Sequence, residues 1–118
     1  MRRIVLALIM FATDAGYATA QDGPKAAVAI GHDQWITGSD YPTEAIGTGA
    51  KGRVDFQIDI NPQGLPENCI IMRSSGFDIL DQATCRLILQ RARFRPAIDE
   101  AGRPTQGAYR DRVHWAEW

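Results

Sequence analysis

One stretch, RVDFQIDI at positions 53–60, constrains the fold of this chain more than any other. Its apolar residues, Val54, Phe56, Ile58 and Ile60, alternate strictly with polar or charged ones. Because successive side chains of a strand point to opposite faces of a sheet, the alternation predicts a half-buried strand. Any fold of this chain must therefore contain a sheet that packs one face on a core and leaves the other in water.

The residues after this strand predict a β-hairpin. The sequence NPQG at 61–64 has proline at the second turn position and glycine at the fourth, which is typical of a type I turn. We therefore expect a second strand, from about Asn68 to Arg73, to return antiparallel to the first.

A helix and a last strand complete the predicted order β-β-α-β. Asp78 is the predicted N-cap of a helix from Ile79 to about Ala92, and Pro96 prevents its continuation. The final strand is predicted from Tyr109 to Trp115. The apolar side of the helix is expected to comprise Leu80, Ala83, Leu87 and Ile88, widened by Cys85, Leu89 and Ala92. The fold class is therefore α+β, a small three-stranded antiparallel sheet packed by one main helix.

The N-terminus has the features of a secretory signal. Arg2 and Arg3 precede the apolar run from Ile4 to Ala12, and Ala18-Thr19-Ala20 matches the small-x-small cleavage pattern. An uncleaved membrane anchor is the alternative, but a spanning helix needs roughly 20 apolar residues. We predict a signal peptide at 1–20 cleaved after Ala20, a loose segment at 21–34 and one domain at 35–118, located in the periplasm.

The chain contains two cysteines, Cys69 and Cys85. Cys69 is predicted at the start of the second strand and Cys85 on the apolar side of the helix, so the two can meet at disulfide distance. An oxidising compartment would preserve that bond. Two buried thiols, or a chemical role for them, are the alternatives. No C-x-x-C motif is present, and His32 and His114 do not match a metal-site spacing.

Other function classes have little support in the sequence. Ser74 and Ser75 are not in a nucleophile motif, so a small secreted hydrolase is the weaker alternative. No catalytic residue, metal ligand or cofactor is therefore assigned. Carboxylates balance the arginines of the C-terminal half, and the resulting net charge of −1 disfavours a nucleic-acid partner.

Several motifs, taken in order, resemble the C-terminal domain of the TonB energy-transducer family. They are Tyr41-Pro42, Gly52-x-Val54, Gly64, Ser74-Ser75-Gly76, Leu80-Asp81, Phe94-x-Pro96-Ala97 and Val113-x-Trp115. The resemblance covers about residues 35–116, and that family's domain has the same order of strands and helix.

The resemblance implies a periplasmic module that captures extended peptides of outer-membrane transporters by adding them to a sheet edge. The expected edge strand comprises Tyr109, Arg110, Asp111, Arg112, Val113, His114 and Trp115. Proline at Val113 or a neighbouring edge position is expected to abolish capture. Inner-membrane energy-transduction components and a second copy in a homodimer are further partners to consider. An exported structural or interaction domain unrelated to transport is the alternative function.

Full transducers of that family place a membrane helix and a proline-rich spacer before this domain. Here the predicted signal peptide takes the place of the helix, and only Pro24 and Pro42 precede Gly52. We therefore expect a binding module or accessory factor rather than a transducer that works alone.

Overall fold

A computed structural model of the chain describes residues 23–116. The predicted signal peptide with its cleavage site, and Trp118, lie outside the described residues. No helix within 23–116 is long and apolar enough to cross a membrane.

One helix and a central three-stranded sheet form most of the described structure. The central sheet is antiparallel, with β2 (Gly52–Ile60) between β3 (Pro66–Arg73) and β7 (Gly107–Trp115), and helix α1 (Asp78–Arg91) packs on it, mainly over β3. The α+β prediction is therefore confirmed. In chain order the elements are β1 (Val28–Ile30), β2 (Gly52–Ile60), β3 (Pro66–Arg73), α1 (Asp78–Arg91), β4 (Arg93–Arg95), β5 (Ala97–Ile98), β6 (Pro104–Thr105) and β7 (Gly107–Trp115).

The predicted hairpin of β2 and β3 is present, and Asn61 organises its turn. The Gly64 N–H donates to the Asn61 carbonyl at 2.9 Å, as expected for a turn of this length. The Asn61 side-chain oxygen also accepts from the N–H groups of Gln63 and Leu65, at 2.9 and 3.0 Å. The turn therefore satisfies its own polar groups.

The core lies between the sheet and the helix. All four alternating apolar residues of β2 are buried, as the sequence predicts. One cluster of buried residues surrounds Trp35, Phe56 and Phe94, and a second surrounds Val54, Leu80 and Trp115. The two clusters together span the whole length of β2.

A disulfide joins Cys69 of β3 to Cys85 of α1, with Cα atoms 5.6 Å apart. Cys69 lies opposite Ile58 in the register of the hairpin, on the sheet face that the helix covers. The predicted pairing is therefore confirmed. Closing a loop of this length adds about 3 kcal/mol of stability in the chain-entropy account.

The start of the helix differs from the prediction. The N-cap is Phe77, which makes no side-chain cap hydrogen bond, and Asp78 is the first helical residue. Asp81 instead accepts hydrogen bonds from the N–H and hydroxyl of Ser75, at 3.0 and 2.8 Å, and from the Ser74 hydroxyl. Burial raises the pKa of Asp81, but these hydrogen bonds outweigh it and the pKa is lowered.

The buried side of the helix also differs by two residues. Leu89, expected on the apolar side, is 38% exposed. Thr84 is fully buried in its place, and its hydroxyl donates to the Leu80 carbonyl at 2.8 Å. A buried threonine is tolerated because this hydrogen bond satisfies its hydroxyl.

Two short pairs of strands lie outside the central sheet, and the sequence did not predict them. Strand β1, within the segment expected to be loose, pairs with β4 in the register Ala29 to Phe94. Strands β5 and β6 form the second pair, in the register Ala97 to Thr105. The β1–β4 pair brings the N-terminal part of the domain to the end of α1.

Candidate functional site: an edge strand and its groove

Strand β7 lies at one edge of the central sheet, with β2 on one side and no described strand on the other. Its side chains alternate between half-buried and exposed from Gly107 to His114. Tyr109 and Val113 pack on the core, whereas Arg110, Arg112 and His114 lie on the solvated face. All seven predicted site residues, Tyr109 to Trp115, are therefore in this edge strand.

One hydrogen bond identifies the amides that point to the open side of β7. The Arg112 N–H donates to the Asp111 Oδ1 at 2.8 Å, so it is not directed at β2. Because bonding to one neighbour alternates along an antiparallel strand, the backbone groups of Arg110 and His114 share this outward direction. The N–H of Val113 points the other way, into the β2–β7 ladder.

Residues 31–41 form a wall that faces β7 across a groove. This wall contains two short 3-10 turns, His32–Gln34 and Gly38–Asp40. Trp35 lies between them, buried in the core, and its indole N–H donates to the Ile30 carbonyl at 3.1 Å. Trp35 therefore attaches the middle of the wall to the core.

Arg91, at the end of α1, fixes the other part of the wall. Its guanidinium donates to both carboxylate oxygens of Asp40, at 2.8 and 3.0 Å, and to the Trp35 carbonyl at 2.9 Å. The side-chain hydrogen bond from Arg91 is the main cause that lowers the pKa of Asp40 to about 2, against a smaller opposing effect of burial. The helix end and the wall are thereby joined by a bidentate ion pair.

Between the wall and β7 lies a cavity of about 270 Å³. Its apolar lining includes Trp35, Ile36, Tyr41, Phe56, Ile88, Val113 and Trp115. It is also lined by every residue from Asp111 to Ala116. Because consecutive strand residues alternate between faces, a cavity that touches all of them must run along the backbone of β7.

Asp111 connects the wall to the edge strand. Its Oδ2 accepts from the Tyr109 hydroxyl at 3.2 Å and is hydrogen-bonded to the His32 Nε2, while Oδ1 accepts from the Arg112 N–H. Burial, with the negative charge and hydrogen bond of Asp111, raises the pKa of Tyr109 to about 12. Tyr109 therefore stays a neutral donor, and Asp111 occupies one outward amide of the edge.

The C-terminal end of β7 is held in place by Thr84, the buried threonine of α1. The Trp115 indole N–H donates to the Thr84 hydroxyl at 2.8 Å, and both residues are buried. A buried indole N–H without a partner would be costly. This contact fixes the Trp115 ring as the floor of the groove.

Sequence reasoning found the strand of the site but missed its wall. Trp35 was expected near the beginning of the domain, yet nothing in the sequence linked it to Tyr109, whose ring centroid lies 6.0 Å away. Cys69 and Cys85 lie on the β3 side, away from the groove. Within residues 23–116, no group of three or more His, Cys, Asp or Glu side chains is placed to hold a metal ion.

A comparison with known families places this geometry in context. The family model described as Gram-negative bacterial TonB protein C-terminal matches residues 37–116, which is more than half of the chain. No curated protein sequence matches the chain at a significant level. The matched region includes the central sheet, the helix and the last part of the groove wall, residues 37–41.

Proposed function

We propose, from the premise that this chain belongs to the TonB C-terminal domain family, that it captures extended peptides of outer-membrane transporters along β7. Members of this family are non-enzymatic, periplasmic energy-transduction domains that interact with TonB-dependent outer-membrane transporters. For this chain, we propose in addition which surface binds the transporter peptide and how the peptide is held. The mode that its geometry favours is strand addition.

The observation that carries the proposal is the open edge of β7 beside a preformed groove. Ala108, Arg110, Arg112 and His114 have backbone groups on the side that no described strand covers. An added strand would form backbone hydrogen bonds there, each worth about 1 kcal/mol net. Since association itself has a large entropic cost, the apolar groove would supply much of the remaining affinity.

The binding mode is tested by amide hydrogen exchange with and without peptide. The oxidised, isotope-labelled protein is titrated with peptides from the periplasmic N-termini of TonB-dependent transporters of the same cell. We expect the amides of Arg110 and His114 to gain protection, while those of Tyr109, Asp111 and Val113, and that of Arg112, already bonded to Asp111, change little. Added protection at β3 instead, or no change at millimolar peptide, would contradict capture at β7. An interaction role unrelated to transport would then be favoured.

Export to the periplasm by a cleaved signal peptide is part of the same proposal. Its support is the sequence pattern of residues 1–20 and the periplasmic location of the family. N-terminal sequencing of the protein from a periplasmic extract is expected to begin at Gln21. A mature protein that still begins with Arg2 or Met1 would contradict cleavage after Ala20.

A further inference from the structure

We infer that β7 selects the strand it captures by the charge on each of its two faces. This inference rests on the proposed function, because it concerns a peptide added at the same edge. The selected strand carries acidic side chains at alternate positions, directed to the solvated face of the sheet. Its other side chains are apolar and enter the groove.

The solvated face next to the open edge is basic. Arg110, Arg112 and His114 lie there at alternate positions, all exposed. Arg110 Nε donates to the neutral amide oxygen of Gln57 at 2.8 Å, so its charge is not paired. The ion pairs found within residues 23–116 leave Arg112 without an acidic partner.

The acidic residues of β2 do not cancel this charge. Asp55 lies opposite Arg112 in the β2–β7 register, but its carboxylate is paired with Arg53 at 2.8 Å. Asp59 lies opposite Ala108 and accepts a hydrogen bond from Asn68. On the solvated face, the charges that an incoming strand meets on β7 are therefore positive.

The groove side has the opposite character. The lining of the groove is mostly apolar, and of its two carboxylates, Asp33 and Asp111, the second is already bonded to His32. An acidic side chain directed there would lose its hydration against Trp35 and Trp115. An apolar side chain instead fills space of about 270 Å³ next to the core.

These two sides are read together because of strand geometry. Side chains of an added strand alternate between the two faces and lie about 5 Å from their neighbours on β7. A strand with alternating acidic and apolar residues can be added in two phases, which differ by a shift of one residue and exchange the faces of all its side chains. Only the phase that directs the acidic side chains to the solvated face satisfies both faces. The groove and the arginines thus determine the phase of the captured strand, whereas backbone hydrogen bonds alone would accept either phase.

The test uses synthetic peptides of one length, with capped ends and the full oxidised protein. One peptide alternates Glu and Val, one alternates Lys and Val, and one has the Glu/Val composition in blocks. We expect the alternating Glu/Val peptide to bind about tenfold or more tightly than either of the others at low salt. Its advantage over the Lys/Val peptide should decrease as salt is raised.

A charge-reversal variant provides the decisive comparison. In Arg110→Glu/Arg112→Glu the preference should invert, so that the Lys/Val peptide binds more tightly. The double variant Arg86→Glu/Arg95→Glu is the matched control, because it changes the net charge equally at exposed positions that lie in α1 and β4 rather than in β7. It should retain the original preference, and amide spectra establish that both variants are folded.

Two results would overturn the inference. Equal affinity for the Glu/Val and Lys/Val peptides, or the same inversion in both double variants, would mean that the arginines of β7 do not select. Equal affinity for the alternating and block peptides would mean that charge acts without strand phase. If transporter peptides still protect the outward amides of β7 in either case, the proposed function stands without the selectivity. If they protect no amide of β7, the proposed function itself fails.

Discussion

Gly64 shows how one residue fixes the position of a turn. Its φ of 83° lies in the left-handed region, and a Cβ built on it would lie 2.1 Å from the Phe94 carbonyl oxygen. The Gly64 carbonyl also accepts from the Phe94 N–H at 3.0 Å. The hairpin turn is thereby docked on β4 with no room for a side chain.

We therefore predict that Gly64→Ala destabilises the protein by about 2 to 5 kcal/mol, because backbone strain and a steric clash add. Gly102 is a matched control, since its φ is also positive, at 79°, but a Cβ added there would meet nothing within 4 Å beyond its chain neighbours. Gly102→Ala should cost only about 1 to 2 kcal/mol. Chemical denaturation of both variants measures the difference, and equal losses would contradict the role of the Phe94 contact.

The ion pair of Asp40 and Arg91 makes stability depend on pH in the acid range. The folded-state pKa of Asp40 is about 2, below the ordinary value of 3.8, so the unfolded chain takes up the proton first as pH falls. The stabilisation is therefore complete well above pH 4 and is lost as pH falls toward 2.

We predict that Asp40→Asn lowers the stability at pH 7 and that wild type loses this advantage between about pH 4 and pH 2. Denaturation curves measured across this range give the result. In an Arg91→Ala background, Asp40→Asn should have a much smaller effect, because the hydrogen-bond partner is already absent. An undiminished effect in that background would assign the low pKa to another group.

At the scale of elements, the direction of each amide in β7 decides where proline is tolerated. The sequence suggested Val113 or a neighbouring position as the test of capture. The N–H of Val113, however, belongs to the β2–β7 ladder, whereas that of His114 points to the open side. Proline is accepted at an edge only where the missing N–H faces solvent.

We predict that His114→Pro keeps the fold but weakens binding of the transporter peptides by about tenfold or more, because it removes an outward donor and obstructs the edge. Val113→Pro should instead destabilise the sheet itself. Amide spectra and peptide titrations separate the two outcomes. Unchanged affinity in a folded His114→Pro variant would argue against strand addition at this end of β7.

The elements that could be predicted are those with a periodic sequence or a clear stop signal. The alternation in β2 and the turn at Asn61 each rest on local chemistry and are present in the structure, and the helix ends at Arg91, close to the predicted end at about Ala92. Strands β1 and β5 have only three and two residues, which is too short to reveal a period. Their partners come from distant parts of the chain or from an apparent loop.

The groove wall could not be predicted for a related reason. Its position depends on Arg91 reaching Asp40, a contact across 51 residues that no local pattern records. Thr84 was similarly missed, because a threonine on a helix is expected at the surface unless a partner such as Trp115 is known. The strand of the site is therefore readable from the sequence, whereas the groove depends on tertiary contacts.

At the scale of the whole molecule, one covalent bond contributes a large share of the stability. A domain of this size is stable by about 5 to 10 kcal/mol, and the loop closed by the disulfide contributes about 3 kcal/mol. We predict that Cys69→Ser/Cys85→Ser lowers the free energy of unfolding by about this amount.

Denaturation of the variant and of the reduced wild-type protein should give the same loss. Peptide binding at β7 should persist in the folded fraction, because the bridge joins α1 to β3, at the opposite edge of the sheet. Unchanged stability in both cases would mean that the loop is already ordered in the unfolded chain. Loss of binding at full folding would instead show that the bridge shapes the groove.

The position of this disulfide also makes the two edges of the sheet unequal in thermal stability. Strand β3 is crosslinked to the helix, whereas β7 is retained by non-covalent contacts alone. Partial melting should therefore begin at β7, the edge on which a partner would lie. A bound strand adds its hydrogen bonds to this weaker edge, where the domain opens most easily. Because the strand binds the folded state, a higher concentration of it should raise the melting temperature of the domain. A bound partner would thus stabilise the β7 edge of the sheet, as the disulfide already stabilises the β3 edge.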